Sequence, residues 1–193
     1  MSSKPRVQIA FLTGRSNPAS CALSPLQSQF LQRLNRHGRL LEGLNFPYEQ
    51  SERPHQPTQL LQASCNNAVE YLKSRQRAFG DRYRPVMEAL LSRAPHTVLL
   101  AGSCGLELLL NLRLDARWLA RTTVFAFGPV ARSLPACRYL LVQGRRDWLS
   151  RWYFPRVDHR VDCGHLDYLA QDEVLRLCED LVSRVVSAPA EVM

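Results

Sequence analysis

Residues Thr97–Leu112 read TVLLAGSCGLELLLNL. Thr97–Ala101 is a short apolar run, Leu106–Leu112 continues apolar at helical length, and the small residues Gly102-Ser103-Cys104-Gly105 join the two. Strand, abrupt turn and helix in that order lift one side chain clear of a sheet, at a strained backbone position. Helix and strand then pass close together, so the residues two before and two after the apex must be small. With Ser103 at the apex these are Ala101 and Gly105, which fit; with Cys104 they are Gly102 and Leu106, and Leu106 does not. Ser103 is therefore the preferred nucleophile and Cys104 the alternative. A glycine-rich turn of this kind also binds anions through free amides. This one lacks both the P-loop lysine and the G-x-G-x-x-G spacing of phosphate cradles.

The same alternation extends to both sides. Short apolar runs at Val7–Leu12, Leu40–Asn45, Thr97–Ala101, Thr122–Phe127, Tyr139–Gln143 and Val157–Cys163 read as buried strands. Between them, Ser24–His37, Gln59–Arg93 (two helices, with Gly80 near their join) and Leu106–Leu119 have helical character, and Leu166–Val186 closes the chain. Ser24-Pro25 supplies an N-cap and a first-turn proline. Strands separated by helices predict a doubly wound α/β domain: about six mainly parallel strands with helices on both faces.

The 193 residues are read as one domain spanning 1–193, with 1–5 and 187–193 expected to be loose. At 46% hydrophobic and 22% charged, the composition is that of a globular domain and argues against disorder. A chain of this length buries roughly 70% of its unfolded surface, enough to need no metal or disulfide staple. The six cysteines form no C-x-x-C pair and no compact metal-ligand cluster, which predicts no metal and a reducing, cytoplasmic location. No apolar run reaches the ~20 residues of a membrane span. Lys plus Arg exceed Asp plus Glu by 25 to 17, but the arginines are dispersed and no nucleic-acid-binding signature accompanies them. The excess fits an acidic partner or anionic substrate better than a nucleic acid.

In open parallel sheets the functional groups stand beyond the carboxyl ends of the strands. Three of these ends carry complementary chemistry: Ser103 after the third run, Asp147 in GRRDWLS after the fifth, and His165 in CGHLDYL after the sixth. A serine hydroxyl needs an adjacent imidazole to take its proton, and the imidazole needs an acid to fix its tautomer. His159 falls inside the last apolar run, and Asp162 and Asp167 flank His165.

The chain order Ser103, Asp147, His165 resembles that of the α/β-hydrolase superfamily, and the likeness runs from the Val7 run to the last helix. The resemblance implies a small, lidless serine esterase or thioesterase without cofactor, in strand order 2-1-3-4-5-6. The interval Val130–Cys137 is too short for the cap found in many relatives. It implies an oxyanion hole formed by the backbone amide of Cys104 and, from Thr13-Gly14-Arg15 in place of the usual His-Gly-x, the amide of Arg15; Ser16 is a side-chain candidate. Phe46, Tyr48 and Trp148 are expected to wall an acyl pocket. The expected partner is an acyl ester or thioester. One form of it is a chain tethered to an acidic carrier protein, which would suit Arg145, Arg146, Arg151, Arg156 and Arg160 around an open mouth. The alternatives are a non-catalytic binding protein on the same fold and a cysteine hydrolase using Cys104.

Overall fold

Strand β1 (Val7–Thr13) pairs in parallel with β2 (Arg39–Asn45) on one side and β3 (His96–Gly102) on the other; β4 (Thr122–Phe127), β5 (Arg138–Gly144) and β6 (His159–Val161) extend the sheet outward from β3. The order is β2-β1-β3-β4-β5-β6, every neighbouring pair parallel, as the resemblance implied. The computed structural model describes residues 6–15, 17, 19–49 and 60–187, with residues 60–65 described by backbone alone. Among these residues, no helix is long and apolar enough to cross a membrane.

Alternate strand residues feed opposite faces, because successive side chains in a strand point to opposite sides. Val7, Ile9 and Phe11 of β1, Val98 and Leu100 of β3, and Phe125 and Phe127 of β4 pack on one face with α1 (Pro25–Arg33) and the last helix. Ala10, Leu12, Leu99, Ala101, Val124 and Ala126 pack on the other, against α3 (Arg77–Leu91) and α4 (Gly105–Leu112). Helix α2 (Leu60–Ser74) precedes α3, and α5 (Ala116–Leu119) leads into β4. Helix α6 (Trp148–Tyr153) follows β5, and α7 (Asp172–Ser187) closes the chain after a 3-10 turn at Tyr168–Ala170. The N-cap foreseen at Ser24 is present and forms part of a capping box, with Ser24 Oγ accepting from the Gln27 amide and the Gln27 side chain accepting from the Ser24 amide.

Several elements differ from the sequence reading. The helix break falls between Ser74 and Arg77, and Gly80 lies inside α3. Helix α4 stops at Leu112 because Arg113 adopts a left-handed conformation (φ 51), so Leu106–Leu119 is two helices. The last strand is only His159–Val161. Just before it, the Asp158 carboxylate accepts from the Leu141 amide at 2.7 Å and replaces a backbone rung. Helix α6 was not foreseen, because six residues are too short to show a helical period. Residues 128–137, between β4 and β5, hold no helix, so no cap is built there.

Gly105, the first residue of α4, lies directly against β1. A Cβ on it would sit 1.8 Å from the Leu12 carbonyl oxygen and 2.8 Å from its carbon. Alanine is the better helix former, by roughly 1 kcal/mol, yet Gly105→Ala is expected to destabilise the protein by about 3 kcal/mol or more, because backbone on both sides must shift. Gly43→Ala, where a Cβ meets nothing within 4 Å, should stay within about 0.5 kcal/mol of the parent. Urea unfolding of the two variants checks this. Equal midpoints would show that α4 and β1 separate at little cost.

Candidate active site

The sheet reverses its strand order between β1 and β3, which opens a crevice at their carboxyl ends. Ser103 stands there, next after Gly102, which pairs with Thr13. Its φ is +52, a left-handed conformation that costs a residue with a Cβ about 1 kcal/mol or more and persists only where its surroundings hold it. Two backbone bonds to the neighbouring strand end do so: the Ser103 amide donates to the Phe127 carbonyl (3.2 Å), and the Ser103 carbonyl accepts from the Val130 amide (2.9 Å).

His165, from the turn after β6, places Nε2 3.1 Å from Ser103 Oγ and Nδ1 2.8 Å from Asp147 Oδ2. The network fixes the tautomer: Nδ1–H donates to the carboxylate, which leaves Nε2 to accept from the serine hydroxyl. Asp147 is 1% exposed and caps α6, its Oδ1 accepting from the Ser150 amide at 2.9 Å. The Tyr168 hydroxyl donates to Oδ2 at 2.5 Å and itself accepts from the Gly144 amide at 2.6 Å. Burial pushes the Asp147 carboxyl upward. The hydrogen bonds from His165, the Ser150 amide and Tyr168 outweigh it and hold the group below its ordinary range. Burial, followed by the bond to Asp147, pushes the Tyr168 hydroxyl up, so it remains a donor.

Gly128 makes room for this cluster. It has φ +56, and a Cβ on it would lie 2.7 Å from the Tyr168 ring and 2.9 Å from Asp147 Oδ2. Neither Tyr168 nor Gly128 was singled out from sequence. The only signal was the placement of Tyr168 three residues after His165, on the same turn of chain.

The structure thus brings Ser103, His165 and Asp147 into one hydrogen-bonded line and leaves His159 exposed in β6. Cys104 lies beside Ser103 at the N-terminus of α4, with its side chain packed against Tyr71 and Val130 and 3% exposed. Burial, then the nearby Glu70, pushes its thiol up to about 12, the opposite of what a thiolate nucleophile needs.

Other expected contributors stand differently. The Arg15 amide donates to Glu70 Oε2 at 2.6 Å, while Arg15 Nε donates to Oε1 at 2.9 Å, so this amide is already engaged by a carboxylate. Ser16 lies outside the described residues. Phe46 is fully buried among Phe79, Tyr83 and Tyr48, and the Tyr48 hydroxyl donates to the Phe11 carbonyl at 3.0 Å. Both belong to the core rather than to an acyl pocket, because their rings pack in the cluster that Phe79 and Tyr83 of α3 also enter. Trp148 is 74% exposed and lies open to solvent rather than in a wall. An open cleft lies between the loop after β1 and helices α2 and α3, lined by Arg15, Val69, Glu70, Lys73, Phe79 and Tyr83; Ser103 does not line it. Among the described residues no three His, Cys, Asp or Glu side chains converge as a metal site requires.

No family model matches the chain, and no curated protein matches it. Among solved structures it is similar to a protein of unknown function from Agrobacterium tumefaciens, described as a candidate alpha/beta hydrolase. The TM-score is 0.48 and the identity 14%, over 94% of this chain and 86% of that one.

The environment of Asp147 predicts a response to acid. A carboxyl held below its ordinary value of 3.8 in the folded state contributes stability that is complete above that value and lost as pH falls through the folded one. Tyr168→Phe removes one donor, so the folded value rises toward the ordinary one and acid unfolding should begin at higher pH than in the parent. At neutral pH the variant should also lose about 1–2 kcal/mol, because the Gly144 amide is left without its acceptor. Circular dichroism across an acid titration reads both effects. Coincident acid midpoints would show that Tyr168 does not hold the ionised carboxylate.

Proposed function

We propose that the protein is a serine hydrolase that cleaves an ester or thioester through an acyl-serine intermediate. The observation that supports this reading most is the line Ser103 Oγ–His165–Asp147, at 3.1 and 2.8 Å, anchored on a serine in left-handed backbone conformation. A serine in a solvated turn would have no reason to sustain that strain, and a structural histidine would not need a buried carboxylate behind it.

In this mechanism His165 Nε2 takes the Ser103 hydroxyl proton as Oγ attacks the substrate carbonyl carbon. The oxyanion of the tetrahedral intermediate is met by the Cys104 amide at the N-terminus of α4, where the helix dipole adds positive potential. The Arg15 amide is bonded to Glu70 and could serve only after that carboxylate releases it. As the intermediate collapses, His165 gives its proton to the departing alcohol or thiol, leaving the acyl group on Ser103. A water then repeats the sequence: His165 takes its proton, the hydroxide oxygen attacks the acyl carbon, and Ser103 recovers its hydrogen as the acid leaves. Asp147 stays ionised throughout, fixes the Nδ1–H tautomer and stabilises the imidazolium. Its lowered pKa suits that role.

Cys104 is the weaker nucleophile on each count, since its thiol is buried and its basicity raised. Ser103→Ala and His165→Ala should each lower kcat by about 10⁴ to 10⁶, because the members of such a set act as a unit. Asp147→Asn should cost on the order of 10⁴ by favouring the wrong tautomer, while Cys104→Ala should keep most of the activity. Hydrolysis of a short p-nitrophenyl ester and labelling with a fluorophosphonate probe, followed by mapping of the modified peptide, test the set. Label on Ser103 that is lost in His165→Ala supports the proposal. Absence of label in the parent would favour a non-catalytic binding protein on the same scaffold.

A further inference from the structure

Trp152 and Trp148 are 86% and 74% exposed, more than any other large apolar residue among those described. Both lie on α6, four positions apart and so on one side of the helix. The opposite side is fixed: Ser150 and Phe154 are buried, and Gln143 Nε2 donates to the Ser150 hydroxyl (3.2 Å) and to the Phe154 carbonyl (2.9 Å). Rotating α6 to hide the two rings would break these bonds and the Asp147 cap. The exposure is therefore built in rather than a loose end of the fold.

The surround is basic. The Arg151 guanidinium lies 4.5 Å from the centre of the Trp148 ring, and Arg145, Arg146, Arg156 and Arg160 are all exposed nearby in sequence. The carboxylates of this segment are largely engaged: Asp147 by His165, Tyr168 and the Ser150 amide, Asp158 by the Leu141 amide, and Asp162 by Arg146. Leu149, 48% exposed, follows Trp148 on α6, and Leu166, 64% exposed, follows His165 in sequence.

We propose that this face of α6 docks on an anionic lipid surface. Indole rings partition to the headgroup level, with the ring toward the acyl boundary and the N–H toward water, and arginines beside them meet lipid phosphates. A guanidinium stacked on Trp148 holds cation and ring at one depth, as that layer requires. Two exposed rings on one side of a short helix can enter a fluid surface, which needs no preformed pocket for each. Resting on the hydrolase reading, such docking would bring lipid-borne acyl esters to the open mouth beside Ser103; the docking itself does not depend on Ser103.

The experiment is co-sedimentation of the full chain with vesicles of phosphatidylcholine alone and of phosphatidylcholine containing phosphatidylglycerol. The protein should partition to the anionic vesicles, with indole emission moving to shorter wavelength, and should be released by salt. Only one other tryptophan, the half-buried Trp118, contributes to that emission. Trp148→Ala/Trp152→Ala should weaken partition by about tenfold or more, with an unchanged circular dichroism spectrum because the rings are largely exposed. Arg145→Glu/Arg156→Glu should weaken it and reduce its salt dependence. Ser103→Ala should bind like the parent, so loss of the catalytic reading leaves this result intact. No partition to anionic vesicles would overturn the proposal, as would partition that survives removal of both indoles. Indole-dependent binding to an acidic acyl carrier protein, with vesicles ignored, would assign the face to a protein partner instead.

Discussion

Where α4 starts, its backbone passes so close to β1 that even a methyl group on Gly105 would overlap the Leu12 carbonyl. That approach sets how sharply the chain must turn after β3, and the turn forces Ser103 into the left-handed region. The adjoining residues adapt to the same constraint. Cys104 is packed inward under Tyr71 and Val130, and the end of β4 accepts the Ser103 amide. Relaxing the contact would remove the reason for the strained serine and for the buried cysteine together.

The second constraint is the burial of charge. Asp147 is almost wholly removed from solvent, and an ionised carboxylate there is tolerable only because three donors converge on its two oxygens. Each donor comes from a different piece of chain: the first turn of α6, the turn after β6, and the 3-10 turn before α7. Satisfying one carboxylate therefore ties together the last third of the sheet. Glu107 does similar work on the other face, fully buried and bonded to the Arg132 amide, the Arg132 guanidinium and Asn111. Neither is a surface ion pair of marginal worth; removing the partners of either would strand a charge in the interior.

Helix α6 links these interior demands to the outside. Its N-cap is the Asp147 carboxylate and its inner side is bonded to Gln143, so its orientation is fixed by groups that have nothing to do with its exposed side. Trp148 and Trp152 point outward as a consequence of how Asp147 and Ser150 point inward. A surface feature and a buried polar network are thus set by one short helix.

Much of the architecture is legible in one dimension, because strand and helix periods and small-residue turns are local properties. The six apolar runs, the N-cap at Ser24 and the placing of Ser103 rather than Cys104 at the apex of the turn needed only residue types, sizes and spacings. The grouping of Ser103, Asp147 and His165 needed two further things: the rule that functional groups gather at the carboxyl ends of parallel strands, and a resemblance in chain order that preferred Asp147 to Asp162 and Asp167. What stayed hidden depended on side chains meeting across the fold. Tyr168 reaches Asp147 from 21 residues away, and Glu70 claims the Arg15 amide from 55 away. Phe46 and Tyr48 turn into the core although strand-end aromatics suggest a pocket wall, and Trp148 turns out to solvent. Hydrophobic pattern specifies which face of an element is buried, but not which distant atom satisfies a given donor. That pairing is decided when the elements pack and each buried polar group must find its partner.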